Sequence, residues 1–167
     1  TTCERCVHVC PMKVDIPLLV SIIRSQWPKG KRPRGIVDDC ERSLKTDTCS
    51  TAGISVADWK FIVEDIVDDV RQTQQGFEEL KVPMDEKYAR LFLTQNSSMP
   101  LTEPLEMPPL WKILSLAGAD WTYGSKGWAA ENFGYLLADD AAWEKILRKK
   151  AEVVEQLGCK VLVNTEC

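Results

Sequence analysis

The chain has 167 residues, 44% hydrophobic and 28% charged, a globular balance with room for one ordinary domain or two small ones. Its net charge of −4 and pI near 5.1 give no broad basic field, so nothing in the composition points to nucleic acid. No apolar run approaches the roughly 20 residues of a membrane span; the best, residues 16–23, is broken by Pro17 and Ser21.

Residues 1–14 show no helical or strand period and are dominated by cysteine and polar groups. Asp15 reads as the N-cap of a helix to about Trp27, with Pro17 in its first turn and Ile16, Leu19, Val20, Ile23 and Trp27 on one face. Pro28, Gly30 and Pro33 end it. The basic run Lys29–Arg34 reads as a solvated loop, with a docking spot for an acidic partner as the lesser alternative. Residues 35–54 predict one helical turn and a polar loop. Ser55 and Asp58 then form a capping box for a helix whose apolar stripe is Trp59, Ile62, Val63, Ile66, Val67 and Val70. Its acidic face, Glu64, Asp65, Asp68 and Asp69, lacks the loop spacing of a calcium site and reads as solvated.

The remainder alternates between strands and helices. Tyr88 to Thr94 predicts a strand, Pro108-Pro109 starts a helix closed by Gly118, and Asp120 to Tyr123 predicts a second strand. Trp128 to Leu137 and Asp139 to Leu157 predict helices, the second closed by Gly158, and Cys159 to Asn164 predicts a buried strand. This order implies a parallel sheet covered by helices. The expected class is α+β: a helical segment over residues 1–76, then a partial α/β domain over 77–167.

Seven cysteines are present, three of them within eight residues as Cys3-Glu4-Arg5-Cys6-Val7-His8-Val9-Cys10-Pro11. Cys3 and Cys6 are too close for easy mutual bridging, and a reducing cytosolic setting fits them better than a secreted disulfide scaffold. Soft thiolates at x2 and x3 spacing, closed by Cys-Pro, match the last three cysteines and the proline of C-x2-C-x2-C-x3-C-P. This points to Cys3, Cys6 and Cys10 as ligands of a [4Fe–4S] cluster, Cys10 serving the second cubane of a two-cluster arrangement. The first cysteine of that motif belongs one position before Thr1. With an abrupt end on Cys167, both termini read as cuts in a longer protein. Zinc is the alternative metal, since zinc sites share C-x2-C.

The other cysteines carry weaker expectations. His8, the lone histidine, reads as exposed. Cys40 and Cys49 read as free thiols in a polar loop, with metal ligation the lesser alternative, and Cys159 as buried packing. Cys167 falls at the carboxyl end of the last predicted strand, where parallel α/β folds bind ligands, so an incidental and a metal-binding role stand level there.

The cysteine motif, together with FLTQNSSMPLTEP (92–104), GADWTYGSKGWAAENFGYLLADDAAWEKI (118–146) and VLVNTEC (161–167), resembles the heterodisulfide reductase D-like iron–sulfur proteins over nearly the whole chain. Within that family the likeness is to iron–sulfur subunits of membrane redox complexes, the sulfite-reduction-linked Dsr complex first and the Tmc and Hmc complexes beside it. The resemblance implies a ferredoxin-type helical segment followed by a Rossmann-like, cysteine-rich CCG domain whose iron–sulfur centre cleaves a disulfide or related bond. It implies Cys3, Cys6 and Cys10 as cubane ligands and Cys167 as the first cysteine of a final CCG pair. The chain departs from the pattern where Gln95, Asn96 and Ser97 stand for one cysteine and residues 129–134 for the Cys-Cys-Gly. One surviving cysteine cannot hold a four-iron centre by thiolates alone, so no complete catalytic site is expected here.

The function so implied is an electron relay to a disulfide- or trisulfide-type substrate, at the cytoplasmic face of a membrane through partner subunits. A small sulfur-carrier protein or disulfide is the expected downstream partner. The alternatives are that the longer protein is itself the reductase, or that the cysteines form a zinc-binding or structural module.

Overall fold

The computed structural model describes residues 5–165, so Cys3 and Cys167 lie outside the described residues. Eight α-helices and three short strands run as α1 (Arg5–Val9), α2 (Ile16–Gln26), α3 (Arg34–Lys45), α4 (Val56–Thr73), β1 (Leu91–Leu93), α5 (Met99–Thr102), α6 (Pro108–Leu116), β2 (Trp121–Tyr123), α7 (Phe133–Leu136), α8 (Asp140–Leu157) and β3 (Val161–Val163) among these residues. The class is mixed helix and sheet, α+β as expected.

Local signals set several boundaries. Asp15 accepts a hydrogen bond from the Leu18 N–H at 2.9 Å and so caps α2, with Pro17 in the first turn where its missing N–H costs nothing. The Ser55–Asp58 capping box is formed at the start of α4, which buries Trp59, Val63, Ile66, Val67 and Val70 and leaves the four acidic residues exposed. Asp139 caps α8, and Gly158 ends it at φ +69°. A side chain at Gly158 would also meet the Tyr88 ring, so that helix end has two reasons for glycine.

The sheet is parallel in the order β2-β1-β3, with Leu91 opposite both Trp121 and Val161. Helices α5 and α6 connect β1 to β2, and α7 and α8 connect β2 to β3, the crossovers parallel pairing requires. One core cluster joins α3 (Cys40), α4 (Trp59 to Val70), β1 (Leu93), α6 (Trp111), β2 (Trp121, Tyr123), Trp128 and α8 (Ile146). Side chains on both sides of residue 77 therefore share this core. Trp59 stacks on Trp128 with ring centres 3.9 Å apart and meets the edge of Tyr123 at 5.3 Å.

Three expectations are corrected. Residues 34–45 form a full helix, because Ile36, Val37, Cys40 and Leu44 make a short apolar stripe within an otherwise charged segment. The helix expected over Trp128–Leu137 is confined to Phe133–Leu136. Residues 128–130 instead pair with distant backbone: Ala129 donates to the Thr48 carbonyl, and Ala130 donates to Gln95 O while Gln95 donates to Trp128 O. Those tertiary partners outweigh helix propensity. The last strand is an edge rather than a buried strand, with Val161 and Leu162 each 44% exposed.

Candidate functional site

Among the described residues, the cysteine motif runs along a helical turn, α1. Cys6 lies in α1 and is exposed; Cys10 follows its last residue and is half-buried. The Cys10 N–H donates to Val7 O at 3.3 Å and Lys13 N–H to Cys10 O at 3.1 Å, so Pro11 and Met12 turn the chain back toward α2. Spacing of i and i+4 at a helix end brings two thiols to one side. Both are free, as are Cys40, Cys49 and Cys159. His8 is exposed, as expected.

No group of three His, Cys, Asp or Glu able to hold a metal is assembled among the described residues. Two soft thiols suit a thiophilic metal, and cubane ligation here needs Cys3 and further cysteines besides. Neither α1 nor α2 buries a residue: Val9 is 75% and Met12 80% exposed, with Leu18, Leu19, Ile22, Ile23 and Trp27 also open.

The second predicted region, the carboxyl edge of the sheet, brings together the two stretches where the resemblance places missing cysteines. Ser97 donates from its N–H (2.7 Å) and its hydroxyl (2.9 Å) to the two carboxylate oxygens of Glu131. Thr51 closes the group, its N–H donating to Ser97 Oγ at 3.1 Å and its hydroxyl 2.7 Å from the same oxygen. Beneath it, Trp111 Nε1 donates to the Tyr123 hydroxyl, which donates to Gln95 Oε1 at 3.0 Å. Burial raises the Tyr123 pKa above its ordinary range, so that hydroxyl stays protonated. Thr94 ties this edge to the last strand, its hydroxyl 2.8 Å from Asn164 Oδ1. The two stretches meet here through hydroxyl, carboxylate and amide groups.

Lys150 is the residue that sequence reasoning missed. It is 4% exposed, and its ammonium donates to the Ala130 and Glu131 carbonyls at 3.0 Å each. Burial lowers its pKa, with Cys49 and Glu131 opposing. The signal was its place four residues after buried Ile146, on the helix's apolar side.

Cys40 and Cys49 are free thiols as expected, but Cys40 lies in α3 rather than a loop and both are buried in the core, 3% and 0% exposed. Cys40 belongs to the stripe of α3. Cys49 sits at φ +59°, its carbonyl accepting from Ser43 Oγ at 2.6 Å. Cys159 is half-buried rather than buried.

Burial raises both core thiols above their ordinary value of 9.0. The native state therefore keeps protons that the unfolded chain releases, and stability falls as pH rises from 9.0 through the folded values. Lys150 has the opposite sign: its depressed pKa makes stability rise as pH approaches 10.5. Urea unfolding across this window should show a shallower alkaline loss for Cys40→Ala than for wild type, and a steeper one for Lys150→Met. Parallel curves for all three would contradict the assignment.

Comparison with protein-family models, with curated proteins and with solved structures finds no match to this chain, so the reading of the site rests on its cysteine spacing and its geometry.

Proposed function

We propose that this chain is part of an iron–sulfur electron-transfer protein of the heterodisulfide reductase D-like kind, with Cys3, Cys6 and Cys10 as [4Fe–4S] ligands. The observation that carries the reading is the C-x2-C-x3-C-P spacing, and the free thiols of Cys6, within α1, and Cys10, just after it, support it. A bound cluster would supply one-electron transfer. The protein's share is to present thiolates, turn the chain away at Pro11 and carry apolar cover beside them.

The relay serves a membrane-associated complex at the cytoplasmic face, passing electrons toward a disulfide- or trisulfide-type substrate or a sulfur-carrier protein. No helix among the described residues is long and apolar enough to cross a membrane, so attachment is assigned to partner subunits. The open apolar surface of α1 and α2 is where we place them, because exposed patches of this kind mark interfaces. Residues 1–34 hold seven Lys or Arg against two Asp or Glu, which favours a partner with an acidic rim.

The meeting of Ser97 and Glu131 supports a CCG-like ancestry for the second half, with its thiolate chemistry replaced by a polar clamp. Cys167 would then contribute to a centre completed by other residues of the longer protein. A reductase centre in that longer protein is the alternative reading.

Anaerobic reconstitution with iron and sulfide tests the ligand assignment. Cys6→Ser and Cys10→Ser should each lose most of the iron and acid-labile sulfide that wild type takes up, whereas Cys159→Ser keeps both. Equal uptake by all four proteins would overturn it.

A further inference from the structure

A cleft independent of the cysteine site lies between α2, α3 and the corner where α7 turns into α8. It has a volume of about 190 Å³, walled by Arg24, Trp27, Arg32, Ile36, Leu136 and Leu137. Through Arg32 and Leu137 it continues into a second hollow of about 140 Å³, which Glu41 and Asp139 border.

The Arg32 guanidinium is under-used. The Arg32 side chain is only 11% exposed, and its ion pair, from Nη1 to Asp139 Oδ2, is long at 3.4 Å. Its Nε is buried without a hydrogen-bond partner among the described residues. Arg24 spends one Nη1 donor on the Leu136 carbonyl at 3.1 Å. A guanidinium offers five donors in a planar fork, and a buried charge with so few partners is costly unless a second anion completes it.

We propose that this cleft binds a small monocarboxylate with an aromatic or branched aliphatic body. Its carboxylate meets Arg24 and Arg32, and its body packs on Trp27, Ile36 and the two leucines. The apolar walls give a free inorganic ion little to replace its hydration, while a carboxylate matches the guanidinium fork and brings an apolar group to bury. Glu41 and Asp139 in the adjoining hollow repel a second negative charge, which selects against phosphate and dicarboxylates. The volume is below that of drug-sized pockets and suits a single ring or a short branched chain.

Benzoate is the probe, titrated into the full chain at constant ionic strength. Its uncharged isostere benzamide and inorganic phosphate are the comparisons, followed through the Trp27 indole N–H and Arg32 Nε–H resonances. Saturable shifts at both groups are expected, with benzamide and phosphate each bound at least about tenfold more weakly, a factor that a single charge-assisted contact supplies. Arg32→Gln and Arg24→Gln should each weaken benzoate by a similar factor, and Ile36→Trp, which fills the hollow, should abolish it. No saturable shift, equal affinity for benzamide, or undiminished binding by folded variants would overturn the proposal. If every variant failed to fold, the ranking of the three probes on wild type would still decide it.

Discussion

Trp59→Ala is expected to destabilise the protein by about 3–5 kcal/mol, a large share of the total stability of an ordinary domain. The side chain has no solvent exposure, lies against Trp128 with rings 16° from parallel, and meets the edge of Tyr123. Its indole N–H donates to Gly124 O at 3.2 Å, so truncation leaves a cavity and an unpaired buried carbonyl together. Trp59→Phe should cost less, since it keeps a stacked ring and loses the hydrogen bond. Because Trp59 belongs to α4 and Trp128 to the segment after β2, the loss reaches both sides of the core. Urea unfolding followed by tryptophan fluorescence and by helical circular dichroism should therefore shift together, with an unchanged slope. A shift confined to one probe, or a cost under about 1 kcal/mol, would contradict this packing.

Glu131→Ala is expected to cost roughly 3 kcal/mol. The carboxylate accepts from Ser97 N–H and Ser97 Oγ, and Ser97 is fully buried, so removing it strands the Ser97 N–H and leaves the Ser97 hydroxyl only Thr51 Oγ1 to donate to. It also takes a negative charge from the surroundings of the buried Lys150 ammonium. Glu131→Gln should recover part of the loss, since its amide oxygen can still accept from Ser97 N–H. Chemical denaturation of the three proteins at neutral pH measures both effects. Equal stability of alanine and wild type would show that the clamp contributes nothing to the fold.

The helix α4 was legible because Ser55, Asp58 and the spacing of Trp59, Val63, Ile66 and Val70 state its start and its buried face separately. The parallel sheet was legible from the alternation of strands and helices alone. Helix α3 was not, since its four apolar positions sit among Asp38, Asp39, Glu41 and Arg42, and the packing that orders them comes from α7 and α8. Residues 128–130 were misread because Trp128, Ala129 and Ala130 suit a helix, while their hydrogen-bond partners, Thr48 and Gln95, are distant in sequence. The burial of Lys150 was hidden by its neighbours, Arg148 and Lys149, which make it look like part of a solvated basic face. The resemblance singled out residues 95–97 and 129–134 as places where cysteines are missing, and said nothing of their meeting. That a serine and a glutamate hold them together could be read only from coordinates.

The central claim is that Cys3, Cys6 and Cys10 are ligands of redox-active [4Fe–4S] clusters. Electron paramagnetic resonance of the anaerobically reconstituted and dithionite-reduced protein, with iron, sulfide and zinc counted on the same sample, tests it most directly. The account predicts brown protein with matching iron and sulfide and a cubane signal that appears on reduction. Colourless protein holding zinc, or iron without sulfide and without a reducible signal, would contradict it.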